Sequence, residues 1–269
     1  MTRKIGGRRA DAPPRVMKIS YSSAKQARRW HRLGLRLALF RPALMLPDMI
    51  DQPPSQMTLD ELRRALAPLL PQEAAFDGWG DAAVAAAARA LGVPADRARL
   101  AFPGGAIDMI DAWFEEIDFA MAAALPPEQI AGMKIRARIR ALVLARLEAV
   151  APHREALRRA LAVLGRPSKA RHAARLGWRA ADRMWRLAGD KATDFNHYSK
   201  RATLAALYGA TILAWMDDES EDWIETRAFL DRRIDGVMRF EKWKAQLRPD
   251  PERHFSPVRF LGRLRYPAV

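Results

Sequence analysis

The run Ala202–Met216 constrains this chain more than any other feature. It is 15 residues without a charged side chain, inside a stretch, 168–248, that contains no proline. Phe195, Tyr198, Ala202, Ala205, Gly209, Ile212 and Met216 keep a 3,4 spacing, and Leu204, Leu207, Tyr208, Thr211 and Trp215 fill much of the other side. A helix that is apolar all round has to be buried. It is too short to cross a bilayer, which takes about 20 apolar residues. The pattern therefore predicts a central helix over 193–216. Helices over 168–188 and 220–246 flank it, the last capped by Ser220 and packing through Trp223, Leu230, Ile234 and Val237.

The rest of the body reads as helix too. Thr58 and Glu61 form a capping-box pattern ahead of Leu59, Leu62, Leu66 and Leu69, and Pro68 and Pro71 are expected to end that helix. An Ala-rich helix, 81–91, closes at Gly92, and Pro94 starts a short helix that stops before Pro103. Gly104 and Gly105 lead into a long helix over 106–124, followed by helices from about Glu128 to Val150 and from His153 to Leu164. There is no strand alternation and no repeat, so the fold class is all-α.

Charge divides the chain. It carries 46 Lys/Arg and 31 Asp/Glu, a net +15. Residues 1–56 hold 12 Lys/Arg and 3 Asp/Glu, a net +9, which leaves +6 for the body. This first segment is proline-rich. It reads as a disordered basic tail or as sequence ahead of a true start at Met57. Around Trp30 and Arg36 it also suits a basic amphipathic or targeting segment. The absence of cysteine excludes a disulfide scaffold, a thiolate metal site and a cysteine nucleophile.

Residues 80–123 have the cadence of the amino-terminal region of TetR-type regulators: helix, turn, short helix, long connecting helix. Three small helices followed by a larger helical ligand-binding bundle also match that fold. The stretch in the reading position, Pro94 to Ala101, offers Arg97 and Arg99 to phosphates, little to read bases, and Asp96 to oppose phosphate. A vestigial helix-turn-helix kept for packing is the expectation, and no nucleic-acid partner is expected. A TetR-type regulator sensing a hydrophobic ligand is the alternative.

Catalytic chemistry is hard to find. There is no GxGxxG, Walker loop or GxSxG. His31, His153, His172, His197 and His254 lack metal-ligand spacing, and no Glu-x-x-His occurs. The acids at 217–219, 221 and 222 read as a solvated turn favouring the start of the next helix. No catalytic residue, metal or cofactor is expected. Arg171, Arg175, Arg179, Arg183 and Arg186 make one cationic stripe, read either as a partner or lipid surface or as a solvated face. The tail, 249–269, interleaves aromatics with arginines, as an interfacial membrane contact does.

The most specific stretch is Met184-Trp185-Arg186-Leu187-Ala188-Gly189-Asp190-Lys191-Ala192-Thr193-Asp194-Phe195-Asn196-His197-Tyr198-Ser199-Lys200-Arg201. With Leu204–Tyr208, Asp218-Glu219-Ser220 and Phe229–Ile234, it closely resembles the family of the ninth coenzyme-Q (ubiquinone) biosynthesis protein. The resemblance covers about residues 58–246, and Gly78-Trp79 and Phe102-Pro103-Gly104 fit it as well.

This resemblance implies a TetR-like lipid-binding accessory protein that is not an enzyme. It would present isoprenoid quinone intermediates to the demethoxyubiquinone hydroxylase. It would sit peripherally at a cytoplasmic membrane face, or at the matrix face of the mitochondrial inner membrane in a eukaryote. The bound molecule would be an isoprenoid lipid or ubiquinone intermediate, and a homodimer stays open. The implied partner patch maps onto Asp182, Met184, His197 and Tyr198, with His197 standing where the family pattern has tryptophan. Known eukaryotic members continue into a long amphipathic helix. Here Pro249, Pro251 and Pro257 interrupt that region. Candidate lining residues for the lipid are Trp113, Phe114, Ile117, Met121, Leu142, Leu207, Tyr208 and Ile212. Each of them also suits ordinary core. The chain thus divides into 1–56, a helix-turn-helix-like region at 57–124, a lipid-binding bundle at 125–248 and the tail at 249–269.

Overall fold

The computed structural model describes residues 56–191 and 195–247, all within one compact unit, 48–269. The expectations for residues 1–55 and for the tail 249–269 lie outside the described residues. Among the described residues there is no strand. The helices are α1 (Leu59–Leu66), α2 (Leu70–Asp77), α3 (Asp81–Leu91), α4 (Ala95–Leu100), α5 (Ala106–Ala124), α6 (Pro127–Ala131), α7 (Ile135–Val150), α8 (Arg154–Leu164), α9 (Ala170–Leu187), α10 (Phe195–Met216) and α11 (Ile224–Leu247).

The capping box holds. The Thr58 hydroxyl accepts from the Glu61 N–H at 3.3 Å, and the Glu61 carboxylate accepts from the Thr58 N–H at 2.7 Å. The expected first helix is nevertheless two. Pro71 sits in the first turn of α2, where a missing N–H leaves no hydrogen bond unmade, so it opens a helix rather than closing one. Among the described residues, four short helices therefore precede α5, with α3 and α4 as the helix-turn-helix pair. Gly92 ends α3 at φ 73°, and the Val93 N–H returns to the Ala88 carbonyl at 2.9 Å.

The helix expected from Glu128 to Val150 is also broken, with Gly132 closing α6. Arg138 fills the gap. Its Nε donates to the Met133 carbonyl at 2.8 Å and its Nη2 to Ala131 at 2.6 Å. Its Nη1 reaches Ala188, just past α9, at 2.8 Å. One guanidinium thus replaces the helix hydrogen bonds lost at the break and fastens it to the bundle.

The bundle is built on α5, α7, α9, α10 and α11. The α10 helix packs against α9 on one side and α11 on the other, while α5 packs against α7 and α9. Leu204, Leu207, Tyr208, Ile212 and Trp215 of α10 are buried, as a helix apolar on most sides requires. Leu213 is exposed, so one side of α10 faces outward.

Candidate functional site

The candidate lining residues come together. Trp113, Ile117 and Met121 on α5, Leu142 on α7, and Leu207, Tyr208 and Ile212 on α10 belong to one continuous apolar core. Phe114 is half-buried and packs on its edge. The rings of Trp79, Phe114 and His153 surround Trp113, with centroids 5.2, 5.6 and 6.4 Å away. Burial lowers the His153 pKa below its ordinary value.

Among the described residues, two clefts adjoin this core, and neither is lined by the candidate lipid-lining residues. One, of about 470 Å³, lies between the Gly78–Gly80 turn, the start of α5 and Arg159, Arg166 and Lys169. The other, of about 360 Å³, lies between α5 and α9. Its walls are Glu115, Asp118, Phe119, Arg179, Asp182, Arg183 and Arg186.

The core has a polar centre that no spacing in the sequence marks. Arg146 on α7 is 1% exposed and Asp118 on α5 is 4% exposed, and the Arg146 Nη1 donates to the Asp118 carboxylate. The Arg146 guanidinium also lies over the Tyr208 ring, 5.1 Å from its centroid. Burial alone would lower the arginine pKa. Tyr208 and Asp118 outweigh it, so the net shift is upward and the guanidinium stays charged.

The arginine stripe on α9 is largely neutralised from within. Arg179 reaches Asp111 at 2.6 Å, Glu115 at 3.0 Å and Asp118 at 3.7 Å. Arg175 is 3.9 Å from Asp111, and Arg63 of α1 meets the same carboxylate at 3.1 Å. Arg183 lies over the exposed Phe119 ring at 5.7 Å, and Arg186 pairs with Asp182 at 2.7 Å.

The implied partner patch divides. Tyr198 is 61% exposed and stands beside His197 and Trp178, with centroids 5.1 and 6.1 Å away. Asp182 is partly exposed. Met184 is 0% exposed, which removes it from the surface patch. It falls on the apolar side of α9 with Leu176, Ala180 and Ala181, where its side chain meets the core. The rest of the motif acts as a clamp. Arg201, 2% exposed, donates its Nε to Asp182 at 2.6 Å and its Nη1 to Asp190 at 3.1 Å. Lys200 adds a 2.7 Å contact to Asp190, and the Trp185 indole N–H donates to the Lys200 carbonyl at 3.0 Å. Burial would raise the Asp190 pKa, but the hydrogen bonds and charges of Lys200 and Arg201 carry it below its ordinary value.

The acidic turn after α10 is not merely solvated. Asp218 is buried and accepts from the N–H and hydroxyl of both Ser220 and Thr226. Burial raises its pKa, but those four hydrogen bonds win and bring it to about 2. The turn passes through Asp222 and Trp223 at φ 53° and 54° before α11 begins. Ser220 contributes a 3.2 Å contact to the Glu225 N–H, so the expected cap is shared, with Asp218 as its main part. Among the described residues no group of acids and histidines is arranged to hold a metal ion.

The helix-turn-helix cations are also engaged. Arg97 donates to the Met57 carbonyl, while Arg99 contacts Asp96 at 2.6 Å and Asp81 at 3.8 Å.

The stretch that holds the α9–α10 clamp and the Asp218 turn also matches a known family. Residues 170–241 match the COQ9 family model. This chain is thus similar to the COQ9 family over its α9–α11 helices. It is 33% identical over 168 residues to the mitochondrial ubiquinone biosynthesis protein COQ9 of Rattus norvegicus, covering 60% of this chain and 54% of that protein. The Homo sapiens COQ9 protein is 32% identical, covering 60% of this chain and 52% of its own length. The chain spans about half the length of these curated COQ9 relatives. Among solved structures it is similar to a TetR transcriptional regulator from Nitrosomonas europaea, with a TM-score of 0.54 and 26% identity. That likeness covers 66% of this chain and 99% of the regulator, so the fold is TetR-like and all-α.

Proposed function

We propose that this chain is a non-enzymatic accessory protein of ubiquinone biosynthesis. It binds isoprenoid quinone intermediates and presents them, at a membrane surface, to the demethoxyubiquinone hydroxylase. The observation that carries the reading is the coincidence of the COQ9 match with the α9–α10 hairpin. Buried ion pairs there hold an exposed aromatic surface around Tyr198.

The lipid is held by the core of Trp113, Phe114, Ile117, Met121, Leu142, Leu207, Tyr208 and Ile212, whose helices part to admit it. Each buried CH2 contributes roughly 0.8 kcal/mol, so a long polyprenyl tail needs few polar contacts. The partner face is Asp182, His197 and Tyr198. Association with the membrane is peripheral. Among the described residues no helix is long and apolar enough to cross it. The relatives are named as mitochondrial, which favours the inner-membrane surface.

The TetR likeness offers a second reading, a regulator that senses a hydrophobic ligand. The engagement of Arg97 and Arg99 within the protein argues against it. Deleting the gene and extracting quinones separates the two. Loss of ubiquinone with accumulation of the demethoxy intermediate supports the accessory role. Normal quinone levels, together with nanomolar operator binding by the purified protein, support the regulator.

A further inference from the structure

Tail burial cannot tell one isoprenoid from another, because each CH2 contributes alike. Choosing a quinone over a plain polyprenyl chain requires a buried polar group that is left unpaired when the ring oxygen is missing. The core provides one. Arg146 lies on α7 one turn from Leu142, and its partner Asp118 is flanked along α5 by Ile117 and Met121. Its guanidinium faces Tyr208, which is one turn from Ile212 on α10. The charged group therefore sits among the lining residues of all three helices.

Its donors are only partly used. Asp118 takes the Nη1 and neutralises the charge, and the Tyr208 side chain also hydrogen-bonds the guanidinium, while the buried Nε–H meets no hydrogen-bond acceptor among the described residues. An unmet buried donor costs about 1–3 kcal/mol, and arginine cannot escape by losing a proton. A ring carbonyl supplies the acceptor that the rigid Nε–H of a guanidinium lacks here.

We propose that Arg146 is the polar anchor of the binding core, donating from its free Nε–H to a ring oxygen of an isoprenoid quinone. This rests on the quinone-binding reading given above. Asp118 connects the anchor to the surface, because it also forms a wall of the 360 Å³ cleft between α5 and α9. Asp182 of the partner face lines that same cleft. A ring held at Arg146 would thus lie on the side of the core nearest the surface that meets the hydroxylase.

The test compares ubiquinone-2 with squalene, a ring-free isoprenoid, bound to the purified full chain and followed by native mass spectrometry. Arg146→Met combined with Asp118→Leu removes both charges and leaves neither uncompensated. Arg146→Lys keeps a charge for Asp118 but lacks the Nε–H, and it makes the same comparison if the double variant does not fold. Ubiquinone-2 affinity is expected to fall about tenfold or more, as for one lost charged hydrogen bond, while squalene affinity stays within about twofold. The anchor is overturned if ubiquinone-2 affinity is unchanged in the folded variants, or if both ligands weaken together. Wild-type protein that binds both ligands equally also overturns it, and leaves the lipid-binding reading standing. Wild-type protein that binds neither overturns both.

Discussion

Arg201 on α10 and Asp182 on α9 form a 2.6 Å hydrogen-bonded ion pair, and the arginine side chain is almost wholly buried. Asp190 accepts from the same guanidinium at 3.1 Å. Replacing Arg201 by methionine removes the cation that the two carboxylates share, leaving Asp182 with Arg186 and Asp190 with Lys200. Breaking a buried pair from one side costs about 3–5 kcal/mol. Urea unfolding of Arg201→Met should show a loss of that size. A loss under about 1 kcal/mol would mean the pair behaves as a surface salt bridge.

The Asp218 turn predicts an acid limb in the stability profile. Its folded pKa, about 2, lies below the ordinary 3.8, so its contribution is fully present above pH 3.8 and is lost as the pH falls towards 2. Asp190 acts in the same direction. His153 adds a milder limb at higher pH. Burial lowers its pKa from 6.5, so stability is lost as the pH drops below 6.5 towards the folded value. Melting temperature measured against pH should show both limbs. Asp218→Asn should flatten the lower one and cost about 1–3 kcal/mol at neutral pH, where it disrupts the Ser220 and Thr226 contacts. An unchanged lower limb in that variant would refute the assignment.

Tyr198 and Met184 should separate binding from folding. Tyr198→Ala removes an exposed ring and is expected to leave the melting curve close to wild type. It should weaken capture of the purified demethoxyubiquinone hydroxylase by about tenfold or more, as hot-spot aromatics do. Met184→Ala empties a fully buried site and should cost about 2–5 kcal/mol. Calorimetric titration beside thermal unfolding of each variant checks both. Normal hydroxylase binding by Tyr198→Ala would remove it from the partner face.

The α4 arginines should matter to the fold and not to DNA. Arg97 holds the Met57 carbonyl ahead of α1, so Arg97→Ala is expected to lose about 1 kcal/mol or more. Gel-shift titration of wild-type protein on DNA should show only weak, salt-sensitive, sequence-independent binding. A sequence-specific nanomolar complex abolished by Arg97→Ala would revive the regulator.

Much of the helical plan could be read from the pattern. The α5 span, 106–124, and the α10 end at Met216 coincide with expectation because proline, glycine and charge mark them. Pro71 and the break at Gly132 were misread for opposite reasons. A proline both ends and opens helices, and Arg138 supports its break from a distance that spacing does not reveal. The α9 arginine stripe did have a legible counterpart. Asp111, Glu115 and Asp118 step by 4 and 3 along α5, the same periodicity in the opposite charge. Pairing the two stripes needs the helices placed side by side, which one sequence does not give. Met184 was misplaced because its motif contains core and surface residues alike. Arg146 lies among Arg136, Arg138 and Arg140 in a basic helix, and nothing local marks it as the buried one.

Asp111 is one carboxylate shared by Arg63 on α1 and by Arg179 and, more loosely, Arg175 on α9. The first of these helices comes from the small amino-terminal set and the other from the bundle. In mechanical terms Asp111 is a rivet between the small helices and the bundle. Force applied to the small helices is transmitted through Asp111 directly to the helix that carries Asp182. The two halves are therefore expected to turn as a single lever.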